Sequence, residues 1–440
     1  MSFRQIRPGM IRHRFTLRVD EGGGLLYDRG SHAYFPASDD EVFLLLASRT
    51  LASDDAVARL AERVGRRRAR AAARAVELPF RGRVVKLDPV PGAYGAPLVA
   101  HLGVTQACNF SCAHCYSSSG RRAPDELSLS EIESLIGALA RIGCQKLVLG
   151  GGEPFLRADL PRIIRTADAR GVDCFVHTNG SRLTVSLLRE LARCPPAGLA
   201  VSVEGGDATT SDAVRGPGSF ERAMRGVRLL RDAYPPGFNL SATIGPWNRD
   251  AAAGLVDLAH EVCATLLLLR PAYPAGEALA APALECSRRD FARAVEKARE
   301  RAEKLGVALD ALYPDEARAP DFQGFGCVAA RVVLGISPTG EVTPCLNLPD
   351  SLGSGNVRQM PLLKLWRDGP SFVALRATNP PAQCASCAHY DVCRGGCRVR
   401  ALSVGNGLSG KDSWCRLENS PKHAKLRRLP SQQEGRDARR

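Results

Sequence analysis

Three cysteines lie within eight positions of the sequence, at Cys108, Cys112 and Cys115 in "CNFSCAHC". A closed structural zinc site needs four protein ligands, and a disulfide needs two. Three thiols fit a four-iron, four-sulfur cluster better, because they leave one iron free to bind a small molecule. The alternative is a zinc site completed by His114, although a histidine between two such closely spaced cysteines reaches the same tetrahedron with difficulty.

A glycine-rich turn follows in "KLVLGGGEPF". Gly150, Gly151 and Gly152 have no side chain, so their backbone can approach a ligand closely. The Glu153 carboxylate can accept hydrogen bonds from an ammonium group. The alternative is a tight turn between a strand and a helix that binds no ligand.

Both motifs follow segments that read as β-strands. From about Pro97, apolar segments alternate with helical patterns, and the strand candidates are "LVAHLGV", "KLVLGG", "DCFVHTN", "GLAVSVE", "NLSATIG" and "TLLLLRP". Six successive β/α units predict an α/β fold in which a parallel sheet curls into a partial (β/α)6 TIM-like barrel. Because such barrels carry their chemistry at the carboxyl ends of the strands, we expect the cysteines and glycines to meet there.

The cysteine triplet and the glycine motif together resemble the radical S-adenosylmethionine (SAM) superfamily. The resemblance implies that the three cysteines hold a [4Fe-4S] cluster whose free iron chelates SAM. The reduced cluster of this family cleaves SAM, and the resulting 5′-deoxyadenosyl radical abstracts a hydrogen atom from the substrate. By the same resemblance, Gly151, Gly152 and Glu153 would hold the SAM amino group.

Four polar residues at later strand ends or turns resemble positions that contact SAM in this family: Asn179, Ser202, Glu204 and Arg215. Polar residues are common at this end of a barrel for other reasons. For Arg215, the alternative is a loop arginine paired with Asp212. The sequence does not identify which residue acts directly on the substrate.

A second group of cysteines lies near the C-terminus and resembles the SPASM extension of radical SAM enzymes, which houses two auxiliary [4Fe-4S] clusters. The resemblance implies an outer cluster on Cys384, Cys387, Cys393 and Cys415 and an inner cluster on Cys327, Cys345 and Cys397. The inner set has no fourth cysteine, so we expect an open iron or a non-cysteine ligand there. The alternative is a pair of zinc ribbons, but seven ligands do not fill two tetrahedral zinc sites.

The N-terminal segment reads as three short strands followed by three helices, which is the layout of a small winged-helix-like domain. The run "GGLLYDRGSHAYFPASDDEVFLLLA" resembles peptide-recognition domains related to the pyrroloquinoline-quinone biosynthesis D protein. Such domains bind the leader of a ribosomally made precursor peptide at a strand edge. Five arginines of the third helix would attract an acidic leader: Arg66, Arg67, Arg68, Arg70 and Arg74. A DNA-binding winged helix and a plain packing domain are the alternatives.

Composition limits the other classes of function. The chain has 440 residues, 45% of them hydrophobic, and a net charge of +14. The basic residues are scattered without an aromatic-interleaved stripe, so nucleic-acid binding is not favoured. We recognise neither a signal peptide nor a membrane-spanning run, which predicts a cytoplasmic protein without a membrane partner. Its 15 cysteines then indicate metal or redox chemistry, and the five outside the two groups are expected to be small buried side chains.

These features predict four regions: a peptide-recognition domain (1–90), a radical SAM barrel (97–317), a SPASM domain (318–420) and a disordered basic tail (421–440). The core is similar to the mycofactocin maturase family, although the recognition domain is fused here. We therefore expect oxidative modification of a precursor peptide (a crosslink, desaturation or decarboxylation), with flavodoxin or ferredoxin as electron donor. The alternatives are a sulfatase-maturase-like or small-molecule oxidation, and a non-catalytic zinc or nucleic-acid-binding protein.

Overall fold

The computed structural model describes residues 14–20, 23–76, 78, 80–311, 327–377, 384–385, 387, 390–408 and 410–415. The predicted tail (421–440) and the predicted boundary at 317/318 lie outside these residues. None of the helices described is both long enough and apolar enough to cross a bilayer.

The N-terminal region contains a small sheet and three helices. Its strands are β1 (Phe15–Asp20), β2 (Gly23–Asp28), β3 (Ala33–Ala37) and β4 (Arg83–Lys86), and its helices are α1 (Asp39–Ala47), α2 (Ser53–Val64) and α3 (Arg66–Ala75). The predicted strands and helices are confirmed, and Ser38 begins α1 with a capping box to Glu41. The fourth strand was not predicted: β4 pairs in parallel with β1 and completes the order β3-β2-β1-β4.

The central region alternates strands with helices as predicted. The strands are β5 (Val99–Thr105), β6 (Lys146–Gly151), β7 (Asp173–Thr178), β8 (Gly198–Ser202), β9 (Asn239–Ile244), β10 (Leu266–Pro271) and β11 (Leu309–Ala311). The helices are α4 (Leu129–Arg141), α5 (Leu160–Ala169), α6 (Val185–Arg193), α7 (Ala208–Arg215), α8 (Ser219–Ala233), α9 (Ala252–Glu261) and α10 (Arg288–Leu305). All six predicted strands are present, and each pairs in parallel with the next.

The C-terminal region continues the same sheet. Its strands are β12 (Val333–Ile336) and β13 (Val342–Thr343), and its helices are α11 (Leu362–Asp368), α12 (Pro370–Arg376), α13 (Tyr390–Cys393) and α14 (Arg398–Ser403). Strand β12 pairs in parallel with β5, which gives the nine-stranded order β11-β10-β9-β8-β7-β6-β5-β12-β13. The sheet is therefore open, as expected for a partial barrel, but it is longer than six strands.

The central strands have two different faces. Apolar residues such as Leu102, Leu149 and Val201 are fully buried among the helices. The residues that alternate with them are partly accessible and line the concave interior of the sheet: His101, Gly103, Val148, Gly150, Phe175, His177, Ser202, Ser241, Thr243, Leu268 and Arg270. This interior, with the loops above it, is the expected place for a substrate.

The N-terminal domain is fixed to the barrel by a buried carboxylate. Asp173, at the start of β7, accepts hydrogen bonds from the Tyr27 hydroxyl and from Arg29 Nε, both at 2.7 Å, and it contacts His32 Nδ1 at 2.7 Å. Arg29 also binds Asp168 at 2.9 Å. Tyr27 belongs to an apolar cluster that includes residues of β2, β5 and β12, so the three regions share part of one core. These contacts attach the N-terminal domain to the barrel.

Candidate active site

The loop that carries Cys108, Cys112 and Cys115 follows β5 and is tied to the loops around it. Cys108 N donates to Gly120 O at 2.8 Å, which closes the loop on itself. Ala113 N donates to Val214 O at 2.9 Å, and Glu277 N donates to Cys115 O at 2.9 Å. These bonds fix the cysteines relative to α7 and to the segment after β10. We refer to residues 106–120 as the cysteine loop.

The glycine turn after β6 lies directly under the cysteine loop. Gly152 N donates to Thr105 O, and Glu153 N donates to Ala107 O, both at 2.8 Å. A Cβ atom at Gly152 would lie 2.0 Å from Ala107 O, and Gly151 has a φ of +100° with its Cβ position 2.5 Å from Thr105 O. The glycines are thus required for backbone packing between the two motifs.

Glu153 is completely buried and already occupied by protein donors. Its carboxylate accepts hydrogen bonds from Thr178 Oγ1 (2.6 Å), Asn179 N (2.7 Å) and Phe155 N (3.0 Å). Burial raises the pKa of this carboxyl, and these donors only partly offset the effect. The structure therefore shows Glu153 joining the ends of β6 and β7, while direct binding of SAM stays a prediction.

Asn179 connects the end of β7 to the cysteine loop. Its Nδ2 donates to Asn109 Oδ1 at 3.0 Å, and its Oδ1 accepts from Ser181 N at 3.0 Å. Ser202, at the end of β8, is half-buried and lies opposite Ser241 in the sheet. Both predicted residues lie at the carboxyl edge of the sheet, where the cysteine loop is also found.

Glu204 and Arg215 form a buried ion pair beneath the cysteines. Arg215 donates from Nη2 (2.6 Å) and Nε (3.0 Å) to Glu204 Oε1, and its Nη1 lies 3.9 Å from Cys112 Sγ. His114 Nε2 lies 3.3 Å from the same carboxylate oxygen. Burial alone would raise the pKa of Glu204, but Arg215 and His114 outweigh it and hold the pKa at about 2. Glu204 therefore positions two residues that face the cysteines.

The alternative partner proposed for Arg215 was Asp212, and this was wrong. Asp212 instead accepts hydrogen bonds from Gly218 N at 2.7 Å and Phe220 N at 2.8 Å, and it fixes the start of α8. The Arg215 side chain binds Glu204 instead of Asp212.

The pKa of Cys112 depends on the other two thiols of the cysteine loop. Burial raises the pKa of Cys112 to about 11, Cys115, Glu204 and Cys108 add to the effect, and Arg215 opposes it. The ring of His114 lies beside Trp247, with centroids 5.2 Å apart, and its buried Nδ1 has no hydrogen-bond partner. Converging thiols, a nearby guanidinium and an unpaired imidazole nitrogen fit an anionic iron–sulfur cluster with a polar ligand beside it.

Two histidines of the barrel interior were missed by the sequence reasoning. Burial lowers the pKa of both His101 and His177 to about 4. The charge of His177 lowers the pKa of His101 further, and Arg270 lowers that of His177 further. His177 is accessible to solvent although protein surrounds it, as expected for a side chain that faces an internal cavity. Both are therefore neutral near pH 7 and can donate or accept hydrogen bonds. The sequence feature that could have identified these two histidines is a polar residue at an inward-facing position of an otherwise apolar strand.

The C-terminal cysteines fall into two groups in the structure. Burial raises the pKa of Cys384, and the thiols of Cys415, Cys387 and Cys393 add to it. A second, separate set is formed by the other three: burial raises the pKa of Cys345 to about 12, with contributions from Cys327 and Cys397. The resemblance assigned these same residues to an outer and an inner cluster, and the binding of a cluster by either set stays a prediction. In the part of the chain that the structure describes, no three His, Cys, Asp or Glu side chains are close enough to hold a single metal ion.

The remaining cysteines are only partly as expected. Cys144, Cys174 and Cys286 are buried, but Cys194 is half-buried and Cys263 is exposed. Cys263 has a φ of +57° in the turn after α9, which places its side chain outside the core. The expectation of burial was therefore wrong for Cys263.

Comparison with known proteins connects this geometry to a family. The description "Radical SAM superfamily" matches residues 102–259, and "Iron-sulfur cluster-binding domain" (SPASM) matches residues 327–388. Mycofactocin maturase from Mycolicibacterium smegmatis is 32% identical over 329 residues, which cover 73% of this chain and 83% of the relative.

Two other curated relatives differ in their named activities. AdoMet-dependent heme synthase from Methanosarcina barkeri is 29% identical, with coverage of 73% of this chain and 96% of the relative. PqqA peptide cyclase from Rhodopseudomonas palustris is 30% identical, with coverage of 78% and 92%.

A solved structure resembles almost the whole chain. Streptococcus suis SuiB bound to its precursor peptide SuiA matches with a TM-score of 0.75 and 16% identity, covering 92% of this chain and 99% of SuiB. Coverage of 92% exceeds what residues 97–440 alone supply, so the fold match includes much of the N-terminal region. The chain belongs to the radical SAM superfamily with a SPASM domain, and its cofactors are SAM, a SAM-binding [4Fe-4S] cluster and auxiliary iron–sulfur clusters.

Proposed function

We propose that this protein is a radical SAM enzyme that oxidatively modifies a ribosomally synthesised precursor peptide, whose leader binds to the N-terminal domain. The single observation that supports this most strongly is that domain, fused to the core and fixed against the barrel by Asp173. A mycofactocin maturase and a PqqA peptide cyclase among the relatives, and a SuiB structure with a bound precursor peptide, agree with a peptide substrate.

The N-terminal sheet offers an edge for the leader. Among the strands described, β3 pairs only with β2, so its other edge has free backbone groups. Phe35 on this strand is 49% exposed. On α3, Arg66, Arg67, Arg70 and Arg74 are exposed, while Arg68 is paired with Asp40. An extended leader with acidic residues fits this combination of edge, apolar side chain and positive charge.

In this proposal, Cys108, Cys112 and Cys115 hold the SAM-binding cluster. Residues of the surrounding turns and strand ends hold or position SAM: Gly151, Gly152, Glu153, Asn179, Ser202, Glu204 and Arg215. Two auxiliary [4Fe-4S] clusters are held by the outer and inner cysteine sets.

The cofactors and the chain divide the chemistry. A cluster held by Cys108, Cys112 and Cys115 would, together with SAM, supply a 5′-deoxyadenosyl radical able to remove a hydrogen atom from the peptide. The chain orients the target residue in the barrel interior, where His101, His177 and Ser202 offer hydrogen bonds, and it excludes water. Flavodoxin or ferredoxin supplies the electron, which is consistent with a cytoplasmic enzyme.

The test is anaerobic turnover of any short peptide whose reading frame lies beside the gene. With SAM and reduced flavodoxin, we expect 5′-deoxyadenosine together with a peptide that has lost hydrogen or carbon dioxide, measured by mass spectrometry. The same peptide without its leader should bind the protein much more weakly in fluorescence anisotropy.

Charge reversal on α3 provides the matched test of leader binding. Arg66→Glu combined with Arg70→Glu should weaken leader binding by about tenfold or more, because two attractive charges become repulsive. Arg182→Glu with Arg189→Glu, two exposed arginines near and on α6, is the control and should leave binding unchanged. Equal loss in both double variants would contradict a specific leader site on the N-terminal domain.

The heme synthase relatives favour a second candidate, oxidation of a small molecule. It would be supported if the intact peptide neither bound nor reacted while a porphyrin precursor gave 5′-deoxyadenosine. That result would overturn the peptide proposal.

A further inference from the structure

One row of inward-facing positions in the barrel holds a single large side chain. The strand register places four residues of β5, β6, β7 and β8 side by side at this level: Gly103, Gly150, His177 and Ala200. The two glycines have no side chain and Ala200 has only a methyl group, so the His177 imidazole projects into space that its neighbours leave empty. His177 is accordingly exposed inside the barrel.

The row below closes the lower end of this space. Val148 and Phe175 lie two residues earlier on β6 and β7 and are paired with each other. The Phe175 ring covers Gly198, because its Cδ1 atom lies 2.8 Å from the Cβ position of that glycine. The same ring packs against His32 of the N-terminal domain, with ring centroids 5.7 Å apart. A side chain therefore reaches His177 from the opposite end, the carboxyl edge of the sheet.

Tyr116 of the cysteine loop forms the upper wall. Its hydroxyl oxygen lies 3.4 Å from the Cβ position of Gly150, and it is the one described atom within 4 Å of that position outside the adjacent residues. Ser117, the next residue, donates to Gly151 O at 3.2 Å, which holds the main chain of Tyr116 over the glycine turn. Gly150 thus keeps open the space between Tyr116 and His177, which we call the target chamber.

The strands around the target chamber carry one charged side chain, and its charge is neutralised. Of the residues that the structure describes on β5–β10 above Val148 and Phe175, Arg270 is the charged one that faces inward. Arg270 donates to Leu269 O at 2.9 Å, and to the main-chain oxygen and Oδ2 of Asp310, both at 3.0 Å. These donors are directed at β11 and not at the chamber.

His177 offers hydrogen bonds without a charge. Burial lowers its pKa to about 4, and Arg270 lowers it further, so the imidazole is neutral near pH 7. A neutral imidazole has one N–H donor and one acceptor nitrogen. At the carboxyl edge, the Glu204 carboxylate is already paired with Arg215. A charged group that entered would lose its hydration and find no unpaired opposite charge among these residues, whereas an uncharged polar group could bind His177.

We propose that the target chamber receives the residue to be modified and selects an uncharged side chain that hydrogen-bonds to His177. Amides, hydroxyls and phenols have this chemistry, and carboxylates and ammonium groups do not. His177 is then a specificity-determining residue that contacts the substrate, and Tyr116 limits the length of the side chain that fits. That the substrate is a peptide rests on the proposed function, but the preference of the chamber for an uncharged group does not.

Peptides that differ by one charge test this selection in the full-length, anaerobically reconstituted enzyme with SAM. Mass spectrometry first locates the modified position in the native peptide. Peptides with Gln or Glu at that position, and with Asn or Asp, then compare charge at nearly constant shape by displacing a fluorescent native peptide. We expect the uncharged member of each pair to bind about tenfold more tightly, because the charged member loses its hydration without gaining a partner. Equal affinities, or tighter binding of the charged member, would overturn the proposal.

Variants of His177 test whether this residue makes the selection. His177→Phe keeps a ring but should remove most of the preference, because the uncharged peptide loses its hydrogen bond. His177→Gln is the matched control, since it keeps a donor and an acceptor, and it should retain the preference. A merely structural role would weaken both members of a pair equally and leave their ratio unchanged, which would contradict the inference. If His177→Phe loses iron and sulfide, Gly150→Val, which fills the chamber, must show the loss of preference.

A measurement without peptide separates this inference from the proposed function. In loaded protein with isotope-labelled histidine, propionamide should shift the imidazole NMR signal of His177 at a concentration about tenfold lower than propionate does. His177→Gln assigns the signal by removing it. An equal or stronger response to propionate, or no response to either molecule, would overturn the inference. Failure of every peptide to bind or react, with the propionamide preference intact, would overturn the proposed function alone.

Discussion

The two cysteine-bearing regions bury different sets of charged side chains. The cysteine loop packs against three buried carboxylates, Glu126, Glu153 and Glu204, and Glu204 is paired with Arg215. The C-terminal region buries three arginines, one of which, Arg400, is paired with Asp412. Glu126 accepts hydrogen bonds from Gln106 N and Ala123 N, so this carboxylate joins the start of the loop to the residues just after its end. Negative surroundings make a cluster harder to reduce and therefore a stronger reductant, and positive surroundings do the reverse. The comparison therefore predicts a lower reduction potential for a cluster held by the cysteine loop than for one held by the C-terminal region.

Removing the cysteines of one region at a time should have the largest effect, because it separates SAM cleavage from iron binding in the C-terminal region. The triple substitution of Cys108, Cys112 and Cys115 by Ala should abolish formation of 5′-deoxyadenosine under dithionite, with iron retained in the C-terminal region. Cys384→Ala with Cys387→Ala should lose iron but still cleave SAM. Measurable 5′-deoxyadenosine from the triple variant, by liquid chromatography, would contradict the assignment of the SAM cluster.

Glu204→Gln should have the next largest effect, because it leaves Arg215 buried without its charge partner. Breaking a buried ion pair from one side destabilises a protein by about 3–5 kcal/mol. Urea unfolding measures the loss, and SAM cleavage should fall as Arg215 and His114 lose their positions. The control is Glu133→Gln, which breaks an exposed pair with Arg162 and should change little. If Glu204→Gln and Glu133→Gln had similar free energies of unfolding, the buried pair of Glu204 and Arg215 would contribute no more to stability than an exposed pair.

Gly152→Ala tests whether the cysteine loop depends on the glycine turn. The new methyl group would meet Ala107 O, so the loop must move, at a cost of about 2–3 kcal/mol. We expect a lower thermal midpoint and a smaller iron content in the SAM site. Gly120→Ala, on the same loop but with nothing within 4 Å of the added atom, should behave like the wild type.

The smallest effect is the pH dependence of the Glu204 contribution. Its pKa falls from 4.5 to about 2 on folding, so the contribution is present above pH 4.5 and is lost as the pH falls towards 2. In metal-free protein, the difference in unfolding free energy between wild type and Glu204→Gln should shrink by about 1 kcal/mol between pH 7 and pH 4. A constant difference would mean that Glu204 is not charged in the folded state.

Local patterns were sufficient to predict most of the fold. The six barrel strands are short apolar runs, each followed by a segment with helical periodicity. This pattern lies within a short stretch of sequence, so each strand could be predicted without knowing its partners in the sheet. Strands β4 and β12 were missed because "RVVK" and "VLGI" become strands only by pairing with β1 and β5, which are remote in the sequence. Such pairing is decided by tertiary structure.

In the candidate site, too, local features could be predicted and contacts between remote residues could not. The cysteine triplet is a local pattern that spacing alone identifies, whereas the division of the C-terminal cysteines into two sets came from the family resemblance. The partners of Arg215 and Glu153 are not local: Glu204 is eleven residues from Arg215, and Thr178 is 25 residues from Glu153. The sequence therefore predicted that these positions are polar, but it did not predict that they bind one another.

Strand β12 has a mechanical consequence. Because this strand of the C-terminal region lies beside β5, and β5 leads directly into Cys108, the two cysteine-bearing regions are attached to neighbouring strands of one sheet. The spacing between these regions is then set by the hydrogen-bonded ladder and not by a hinge. Truncation before β12 would leave a bare strand edge next to the cysteine loop, so we expect that the C-terminal region cannot be exchanged as an independent module.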